Sequence, residues 1–464
     1  MSPLPGDDVV GPPPDLVGQL HGAVGDTGDL HQRAVAWIRD RIESVPLGVI
    51  GDKAMLDREL TGSITDGGLG LDGAWSRFTD VVAPNNIGLD SERFLAFIPV
   101  SPSAAGIWMD ALVGTANFSA ESWLEGAGAV AAENQVLALL ARTAGLPADA
   151  AGCFMSGGSI GNLSALAVAR EQSPTKRMVI VADTAHASID NALRLLGLHS
   201  LVVHTGPDCR LTGAAIRAML AERGTADDIA AIVAAGGSTN AGIVDDLAGC
   251  ADVAEQVDAW FHVDGAYGLA AMLLPEMRAH YDGIERADSF IVDPHKWLFA
   301  PAGSCALVYR RPWLARAVHT QHGPYIDVLR TDDDAYNPCD LGYQLTRRAS
   351  GLPIWFALAL HGVDAHRREI RHGITMARRM ADALEACATT SLVLQPQLGV
   401  VLFRRDGWGR DEWAAWARRL LDERIAFVAP STYRGEPVGR LVFMHPSTPD
   451  SIVAEIVATL AEPG

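Results

Sequence analysis

The stretch FIVDPHKWLFA, residues 290–300, joins an apolar run to a lysine. Residues 290–292 favour β-structure, and Asp293-Pro294 ends the run, so Lys296 follows the end of a predicted buried strand. In open α/β sheets, ligands bind at the carboxyl ends of the strands. Lys296 is therefore a candidate for an amine that reacts with a carbonyl group. The ordinary alternative is an amphipathic lysine whose stem packs on apolar surface.

Short apolar runs of the same kind recur on both sides of this stretch. They are MVIVAD (178–183), LVVH (201–204), IAAIVAAGG (229–237), AWFHVD (259–264), SFIVD (289–293) and CALVYR (305–310). Segments long enough for a crossover helix lie between most of them, for example ASIDNALRLLGL. This alternation predicts an α/β fold with a mainly parallel sheet.

The rest of the chain divides around this large unit. Residues 1–30 are rich in proline and predict a loose leader, and 31–118 form an N-terminal segment with helical patterns. Residues 119–375 form the predicted large domain. A long helical segment then leads into strands and one helix, so 376–464 predict a small C-terminal α+β domain.

Composition limits the possible partners and the compartment. The chain has 464 residues, and its net charge of −19 disfavours nucleic acid and anionic membrane surfaces. The six cysteines are scattered without a C-x-x-C pair, which is typical of reduced thiols. No signal peptide and no run of eighteen apolar residues is visible, so we expect a cytoplasmic protein.

A second candidate side chain lies in AWFHVDGAYG, residues 259–268. Asp264 ends a predicted strand, and the small residues Gly265 and Ala266 follow it. A carboxylate in this setting can approach a flat heteroaromatic ring, and it would keep a pyridine nitrogen protonated. A turn or a helix cap is the simpler explanation for Asp264 taken alone.

Three further strand ends carry polar groups. His186 opens a helix after the strand at 178–182, with a ring that could stack on a ligand or merely cap the helix. Gly157, Gly158 and Ser159 lead directly into a helix, where bare N–H groups form an anion site suited to one phosphate. Ser238 and Thr239 offer hydroxyl groups at another strand end.

Each of these signals is weak alone, but together they match the needs of pyridoxal 5'-phosphate. Its phosphate needs a helix terminus, its ring needs a stacking partner and an anion at the nitrogen, and its aldehyde needs a lysine. The chain contains only three lysines, Lys53, Lys176 and Lys296, and only the last lies in such a setting. The sequence therefore predicts Lys296 as the lysine that forms a Schiff base with the cofactor.

The sequence resembles the group II pyridoxal-phosphate-dependent amino-acid decarboxylases, which include aromatic-L-amino-acid and glutamate decarboxylases. The matching motifs are SGGSIGNLSAL (156–166), ADTAHASID (182–190), GGSTNAGIVDD (236–246), HVDGAYG (262–268), DPHKWLF (293–299) and LTRRASGLPIW (345–355). The resemblance implies a fold-type I enzyme (the aspartate-aminotransferase-like fold) that forms a homodimer with shared active sites. It implies that residues 31–118 pack on the partner subunit and that 119–375 bind the cofactor.

The resemblance also assigns roles to individual residues. Lys296 matches the Schiff-base lysine, Asp264 the partner of the pyridine nitrogen, and His186 the stacking histidine. The resemblance also implies that the glycine turn binds the phosphate and that hydroxyl groups, a small residue under the ring and the histidine beside the lysine contact the cofactor. These are Gly157, Gly158 and Ser159 for the turn, Ser238 and Thr239 for the hydroxyl groups, Ala266 under the ring and His295 beside Lys296.

Two features depart from the family pattern. Asp293 occupies a position where the family usually has asparagine, and an aspartate would repel a phosphate. The family also carries a loop tyrosine that protonates the carbanion left when carbon dioxide departs. Tyr325, Tyr336 and Tyr343 are candidates here, and Tyr336 is favoured because it lies in the most polar part of the segment.

The predicted function is decarboxylation of an L-amino acid to the amine and carbon dioxide. Phe97, Ile98 and Trp108 suggest an aromatic or apolar substrate, while Arg347 and Arg348 could bind a second carboxylate or serve the fold. An oxygen-dependent decarboxylation–deamination to an aldehyde is the alternative if the loop tyrosine is missing. Three other readings have less support: a non-catalytic scaffold of the same fold, a C–S lyase using Cys339, and a metal hydrolase using His262, Asp264 and His295.

Overall fold

The computed structural model describes residues 28–224, 226–330 and 336–461. The chain divides into two compact units, one ending at Gly88 and the other beginning at Leu89. Almost all of the predicted leader, residues 1–30, lies outside the described residues, so its looseness stays a prediction.

The first unit is helical. Its helices are α1 Leu30–Glu43, α2 Lys53–Leu60 and α3 Gly70–Ser76, followed by a π turn Arg77–Val82 and a 3-10 turn Ala83–Asn85. The helix α1 ends shortly before Pro46, because a proline ring cannot continue the hydrogen-bonding pattern of a helix. Trp37 of this helix packs against Phe78, with ring centroids 5.1 Å apart.

The second unit is built on a seven-stranded sheet. Its strands are β1 Ala151–Met155, β2 Met178–Ala182, β3 His199–Val203, β4 Ile229–Ala235, β5 Trp260–Asp264, β6 Ser289–Val292 and β7 Cys305–Tyr309. Their order is β1-β7-β6-β5-β4-β2-β3, and β7 runs antiparallel to both of its neighbours while the other pairs are parallel. The six predicted strands and the mainly parallel sheet are confirmed, and β1 is a strand that the sequence reading did not identify.

Helices α4 Ala104–Ala116 and α5 Trp123–Ala144 precede β1. Strands β1 to β4 are followed in turn by α6 Gly158–Gln172, α7 Ala187–Leu196, α8 Gly213–Arg223 and α9 Leu247–Gln256. After β7 come α10 Pro312–His319 and the long helix α11 Leu352–Ala386. Short 3-10 helices span Gly268–Leu273, Pro275–Tyr281, Ile284–Arg286, Asp327–Arg330 and Pro338–Asp340. The N-terminus of α4 is capped by the Ser103 hydroxyl, and α5 ends at Gly145, whose φ of 77° favours glycine.

The core of the second unit covers both faces of this sheet. In strand β5, for example, four of the five residues are buried, as expected for a strand with helices packed on both faces of its sheet. One apolar cluster lies on the face with α5 and α9, and a second lies on the face with α6 and α7. Loops that follow the carboxyl ends of the strands are therefore the part of the sheet that can meet a ligand.

A four-stranded antiparallel sheet forms near the C-terminus. Its strands are β8 Thr390–Leu392, β9 Val400–Arg405, β10 Ser431–Tyr433 and β11 Glu436–Val442, in the order β10-β11-β9-β8. The helices α12 Arg410–Asp422 and α13 Ser451–Ala461 complete an aromatic core around Trp413. This is the predicted α+β arrangement. Helix α11 runs across the predicted boundary between residues 375 and 376, and that boundary stays a prediction.

None of the helices in the described part of the chain is both long enough and apolar enough to span a membrane.

Candidate active site

A cavity of about 430 Å³ opens at the carboxyl edge of the large sheet. It collects the residues that follow β1, β2, β4, β5 and β6, because parallel strands present their carboxyl ends at one edge. All ten residues predicted to bind a cofactor line it: Gly157, Gly158, Ser159, His186, Ser238, Thr239, Asp264, Ala266, His295 and Lys296.

Lys296 lines this cavity, and its side chain is 20% exposed. Its amine is 3.0 Å from the Asp293 carboxylate. Burial lowers the pKa of Lys296, but the negative charges of Asp293 and Asp264 outweigh burial, so the net pKa is raised. The lysine is thus a partly desolvated amine held by an acid, not a side chain that snorkels to solvent.

The Asp264 carboxylate is oriented by two donors. The backbone N–H of Ala266 donates to Oδ1 at 3.2 Å, and the Asn162 side-chain amide donates to Oδ2 at 3.0 Å. The turn-forming role that the sequence left open is therefore present. Because the carboxylate also lines the cavity, the same side chain can present acceptor positions to a ligand.

His186 caps helix α7 and lines the cavity at the same time. Its Nδ1 accepts from the backbone N–H of Ser188 at 3.2 Å and lies 2.9 Å from the Ser188 hydroxyl. The proton of the neutral ring is then on Nε2. These contacts hold one edge of the imidazole and leave its face available for stacking.

The glycine turn stands at the N-terminus of α6. Gly157 precedes the helix in an extended conformation, and Gly158 begins it. A side chain on Gly158 would meet the Asp293 carboxylate, because a Cβ built there lies 2.9 Å from Asp293 Oδ2. This close approach explains the glycine, and it leaves backbone N–H groups facing the cavity.

A buried arginine holds the segment after β4 that carries the hydroxyl groups of Ser238 and Thr239. Arg440, from β11 of the small sheet, donates to the backbone carbonyls of Thr239 and Asn240, at 2.6 and 3.2 Å. Burial lowers the pKa of Arg440 to about 10. Ser238 is 3% exposed, and its hydroxyl accepts from the Ile243 N–H. The small sheet thus helps to shape the cavity wall.

His295 lines the cavity and is held by the backbone of Ser304. Its Nδ1 lies 2.5 Å from the Ser304 carbonyl oxygen and 3.2 Å from the Ser304 backbone nitrogen. Its Nε2 is 3.8 Å from Asp293 Oδ2.

Asp293 is the feature of the cavity that departs from the family pattern. Its side chain is 2% exposed, and its Oδ1 atom has no hydrogen-bond partner in the described structure. Its Oδ2 atom faces both Lys296 and the glycine turn. The carboxylate is therefore a buried anion whose charge is offset mainly by the lysine.

Tyr336 does not line this cavity. Its hydroxyl donates to the carbonyl of Gly152, near the start of β1, and lies 3.1 Å from the Gly152 nitrogen. Burial raises its pKa. In this position the hydroxyl serves the backbone of β1, and its predicted role as a proton donor stays a prediction. Tyr325 and Tyr343 are exposed, and neither lines the cavity.

Asn162 and Asp245 are among the polar residues of the cavity wall that were not predicted from the sequence. Asn162 lies one turn into α6 and is 1% exposed, so it looked like an ordinary helical position. Asp245 accepts from the backbone N–H groups of Leu211 and Ala235, and burial raises its pKa to about 7. The only signal in the sequence was the polar character of both residues within apolar surroundings.

The two arginines of the LTRRASG motif are committed to ion pairs. Arg347 is buried and bonds both oxygens of Glu133, at 3.1 and 2.6 Å. Arg348 pairs with Asp110 at 3.1 Å. Arg347 is therefore committed to the fold, whereas Arg348 remains 47% exposed beside its partner.

The donor set of the cavity fits pyridoxal phosphate. It offers a buried amine for an aldehyde, an oriented carboxylate for a ring nitrogen and helical N–H groups for a phosphate. A metal site is a poorer fit. Both nitrogens of His262 are used by Ser289 and Asn162, at 2.8 and 2.9 Å, so this imidazole has no free ligand atom.

Comparison with known proteins gives a consistent result. Residues 76–406 match the model of the pyridoxal-dependent decarboxylase conserved domain. An aromatic-L-amino-acid decarboxylase of Bacillus atrophaeus is 32% identical over 374 residues, covering 79% of this chain and 78% of that protein. An L-2,4-diaminobutyrate decarboxylase of Rhizobium meliloti (strain 1021) is 31% identical, covering 76% and 74%. A 4-hydroxyphenylacetaldehyde synthase of Rhodiola rosea is 26% identical, covering 83% of each chain.

A solved structure supports the same relationship. The crystal structure of Oryza sativa TDC with PLP and tryptamine superimposes with a TM-score of 0.85 at 26% identity. The match covers 93% of this chain and 97% of that one. The predicted fold-type I architecture is confirmed.

Proposed function

The chain belongs to the pyridoxal-dependent decarboxylases, and we propose that it converts an aromatic L-amino acid to the corresponding amine and carbon dioxide. The predicted family, the pyridoxal phosphate cofactor and the carboxy-lyase activity on an amino acid are confirmed. The substrate, the amine product and the roles of single residues belong to the proposal. The observation that carries these roles is the convergence of Lys296, Asp264, His186 and the glycine turn on one cavity.

Each side chain has a distinct task. Lys296 would hold the cofactor covalently through its amine. Asp264 would supply a negative charge for its ring nitrogen, and His186 would offer a face for stacking. Gly157, Gly158 and Ser159 would bind the phosphate, aided by Ser238, Thr239 and His295, while Ala266 would leave room for the ring. Pyridoxal phosphate, when bound, supplies the conjugated system that takes up the electron pair of the broken C–C bond.

Two observations favour a neutral, aromatic substrate. Arg347 and Arg348 are both paired, which disfavours acidic amino acids. The segment that carries Phe97, Ile98 and Trp108 also lies beside the chain that follows Lys296, since the Ser103 N–H donates to the Phe299 carbonyl at 2.8 Å. An aromatic decarboxylase and a solved structure with bound tryptamine are among the similar proteins.

Aldehyde formation is the second candidate function. No tyrosine of the segment 324–348 lines the cavity among the described residues, although Tyr267 does. An aldehyde synthase is also among the relatives. The proposal retains Tyr336 as the proton donor for amine formation, which would require its hydroxyl to leave Gly152.

We also propose a cytoplasmic homodimer with shared active sites, in which residues 31–118 pack on the partner. Large apolar side chains exposed between residues 112 and 124 support a subunit interface in this region. They are Leu112, Phe118, Trp123 and Leu124. Light scattering of the purified protein would test the dimer, and a monomer at micromolar concentration would contradict it.

One experiment tests the main proposal. The protein is purified with pyridoxal phosphate and incubated with aromatic, apolar, acidic and diamino L-amino acids. Carbon dioxide, amine, aldehyde and hydrogen peroxide are then measured. We expect equal amounts of carbon dioxide and amine from an aromatic amino acid. Aldehyde with peroxide would favour the second candidate, and turnover of a diamino acid alone would contradict the aromatic substrate.

A further inference from the structure

We propose that Asn162 and His262 are positioning residues that hold Asp264 and His186 through one directed chain of hydrogen bonds. The proposal rests on the roles given above to Asp264 and His186. Asn162 is the branch point, since its amide nitrogen lies 3.0 Å from Asp264 Oδ2 and 3.1 Å from the Ser188 hydroxyl.

The chain of hydrogen bonds begins with side chains of β5 and β6 in the large sheet. The Trp260 indole nitrogen lies 2.8 Å from the Ser289 hydroxyl, which lies 2.8 Å from Nδ1 of His262. Nε2 of His262 lies 2.9 Å from the Asn162 side-chain oxygen. At the far end, the Ser188 hydroxyl lies 2.9 Å from Nδ1 of His186.

Hydrogen-bonding chemistry gives this chain one direction. A carboxylate only accepts, so the Asn162 NH₂ group faces Asp264 and Ser188, and the Asn162 oxygen faces His262 Nε2. The neutral His262 ring then carries its proton on Nε2 and accepts at Nδ1 from the Ser289 hydroxyl. Ser289 in turn accepts from the Trp260 indole N–H, which can only donate.

Burial keeps the chain intact. Asn162, His262 and Ser289 are 1%, 0% and 0% exposed, so water does not compete for their hydrogen bonds. Burial lowers the pKa of His262 to about 4, although the Asp264 charge acts in the opposite direction. The ring therefore stays neutral near physiological pH, in the form that the chain requires.

Loss of the chain has a specific consequence for the cavity. Asp264 would keep its bond from the Ala266 N–H, but Oδ2 would lose its side-chain donor and the carboxylate could rotate. Loss of a hydrogen bond to a charged group corresponds to roughly a 10- to 150-fold change. We expect cofactor affinity and kcat to decrease, with a smaller change in KM for the amino acid.

The experiment compares two substitutions at position 262. His262→Gln retains an N–H near the position of Nε2, whereas His262→Phe removes the donor and leaves the Asn162 oxygen without a partner. His319→Phe is the matched control, because His319 is also buried and, within the described residues, its ring bonds the Ser164 carbonyl at 3.1 Å and not the chain. Cofactor affinity, the circular dichroism of bound cofactor, kcat and KM are measured for each variant.

We expect His262→Phe to lower cofactor affinity and kcat by about tenfold or more, with altered dichroism of the bound cofactor. His262→Gln should remain within about threefold of the wild type, and His319→Phe should keep the wild-type dichroism. A His262→Phe protein with wild-type affinity, dichroism and kcat would overturn the proposal. So would a His262→Gln protein as impaired as His262→Phe.

A second measurement does not depend on folding of the variants or on the cofactor. The cofactor-free wild-type protein is labelled with ¹⁵N-histidine, and the His262 signals are assigned by their absence in His262→Gln. We expect a neutral ring protonated on Nε2 from pH 8 to pH 6. A proton on Nδ1, or a charged ring at pH 6, would contradict the proposed direction of the hydrogen-bond chain. Failure of the proposed decarboxylation would leave this tautomer unchanged, so the two failures are distinguishable.

Discussion

The Asp293 carboxylate lies 3.0 Å from the Lys296 amine, and both side chains are largely withdrawn from solvent. The carboxylate also lies against Gly158 at the N-terminus of α6, where a bound phosphate is expected. Asp293 thus favours the charged form of the lysine and opposes a nearby phosphate. An asparagine has the same shape but no charge, so it would neither favour the charged lysine nor oppose a phosphate. An Asp293→Asn variant therefore tests directly what this carboxylate contributes to the cavity.

Replacement of Asp293 by Asn should lower the pKa of Lys296. Burial already lowers this pKa, and the charges of Asp293 and Asp264 raise it above its usual value. A lysine attacks an aldehyde only as the neutral amine, so the variant should capture pyridoxal phosphate faster at neutral pH. The measurement is the rate at which the absorption band of lysine-bound cofactor appears between pH 6 and pH 10.

A suitable control for this prediction is Asp190→Asn. Asp190 is an exposed carboxylate in the first turn of α7, so the variant removes one negative charge near the cavity without touching Lys296. Its pH profile should match the wild type. An unchanged profile in Asp293→Asn would mean that Asp293 does not govern the charge of the lysine.

Replacement of Lys296 by Ala should abolish the absorption band of lysine-bound cofactor and the decarboxylase activity. The chain has only two other lysines. Lys176 is the better control, because its amine bonds the backbone carbonyls of Val257 and Asp258, away from the cavity. Lys176→Ala should keep the band, and a band retained in Lys296→Ala would identify a different lysine as the anchor.

Replacement of Asp264 by Ala should weaken cofactor binding and lower kcat by at least about 100-fold, as expected for loss of a preorganised charge. The Ala266 N–H and the Asn162 amide fix this carboxylate, and alanine leaves no carboxylate at the position that these two donors set. Cofactor affinity by fluorescence titration and initial rates of carbon dioxide release provide the check. Wild-type turnover in this variant would contradict the proposed role of Asp264.

Replacement of Tyr336 by Phe separates two roles for this residue. Its hydroxyl bonds the backbone of Gly152, so the variant should lose about 1 kcal/mol of unfolding free energy. If Tyr336 also leaves this position to donate a proton, as the proposal holds, the product should shift from amine toward aldehyde and peroxide. Tyr343→Phe is the control. A destabilised Tyr336→Phe protein that still yields only amine would remove Tyr336 as the donor.

The stability of the cofactor-free protein should depend on pH through His262. Its folded-state pKa is lowered to about 4. The unfolded chain therefore binds more protons below about pH 6.5, and stability falls as the pH falls from there toward 4. The share of His262 is about 3 kcal/mol across this window. Urea unfolding of the wild type should show a steeper loss than His262→Gln, and parallel curves would contradict the buried neutral ring.

Local sequence was sufficient for six of the seven strands of the large sheet and for the chemistry at their ends. The runs MVIVA and CALVY are apolar throughout, as expected for strands that are covered on both faces. Once the sheet is parallel, Lys296, Asp264 and His186 must meet at one edge. The motifs around them could therefore be assigned before any distance was known.

The partners of these residues could not be predicted in the same way. Asn162 is separated from His262 by 100 residues and from Asp264 by 102 residues, and its polar character within α6 does not indicate which residues it contacts. His262 looked like a strand residue or a conceivable metal ligand. Tyr336 lies in a polar segment, but its hydroxyl is directed to β1, which was not recognised as a strand.

The sequence by itself determined the family, the cofactor and the residues at the strand ends, because these depend on hydrophobic period, glycine turns and the order of motifs along the chain. Only the tertiary structure decided how the polar groups pair. Asp293 with Lys296, Arg347 with Glu133 and Asn162 with His262 are contacts between separate turns or elements. Such pairs form because burial makes an unpaired polar group costly. Their distances and directions exist only once the sheet and helices are packed together.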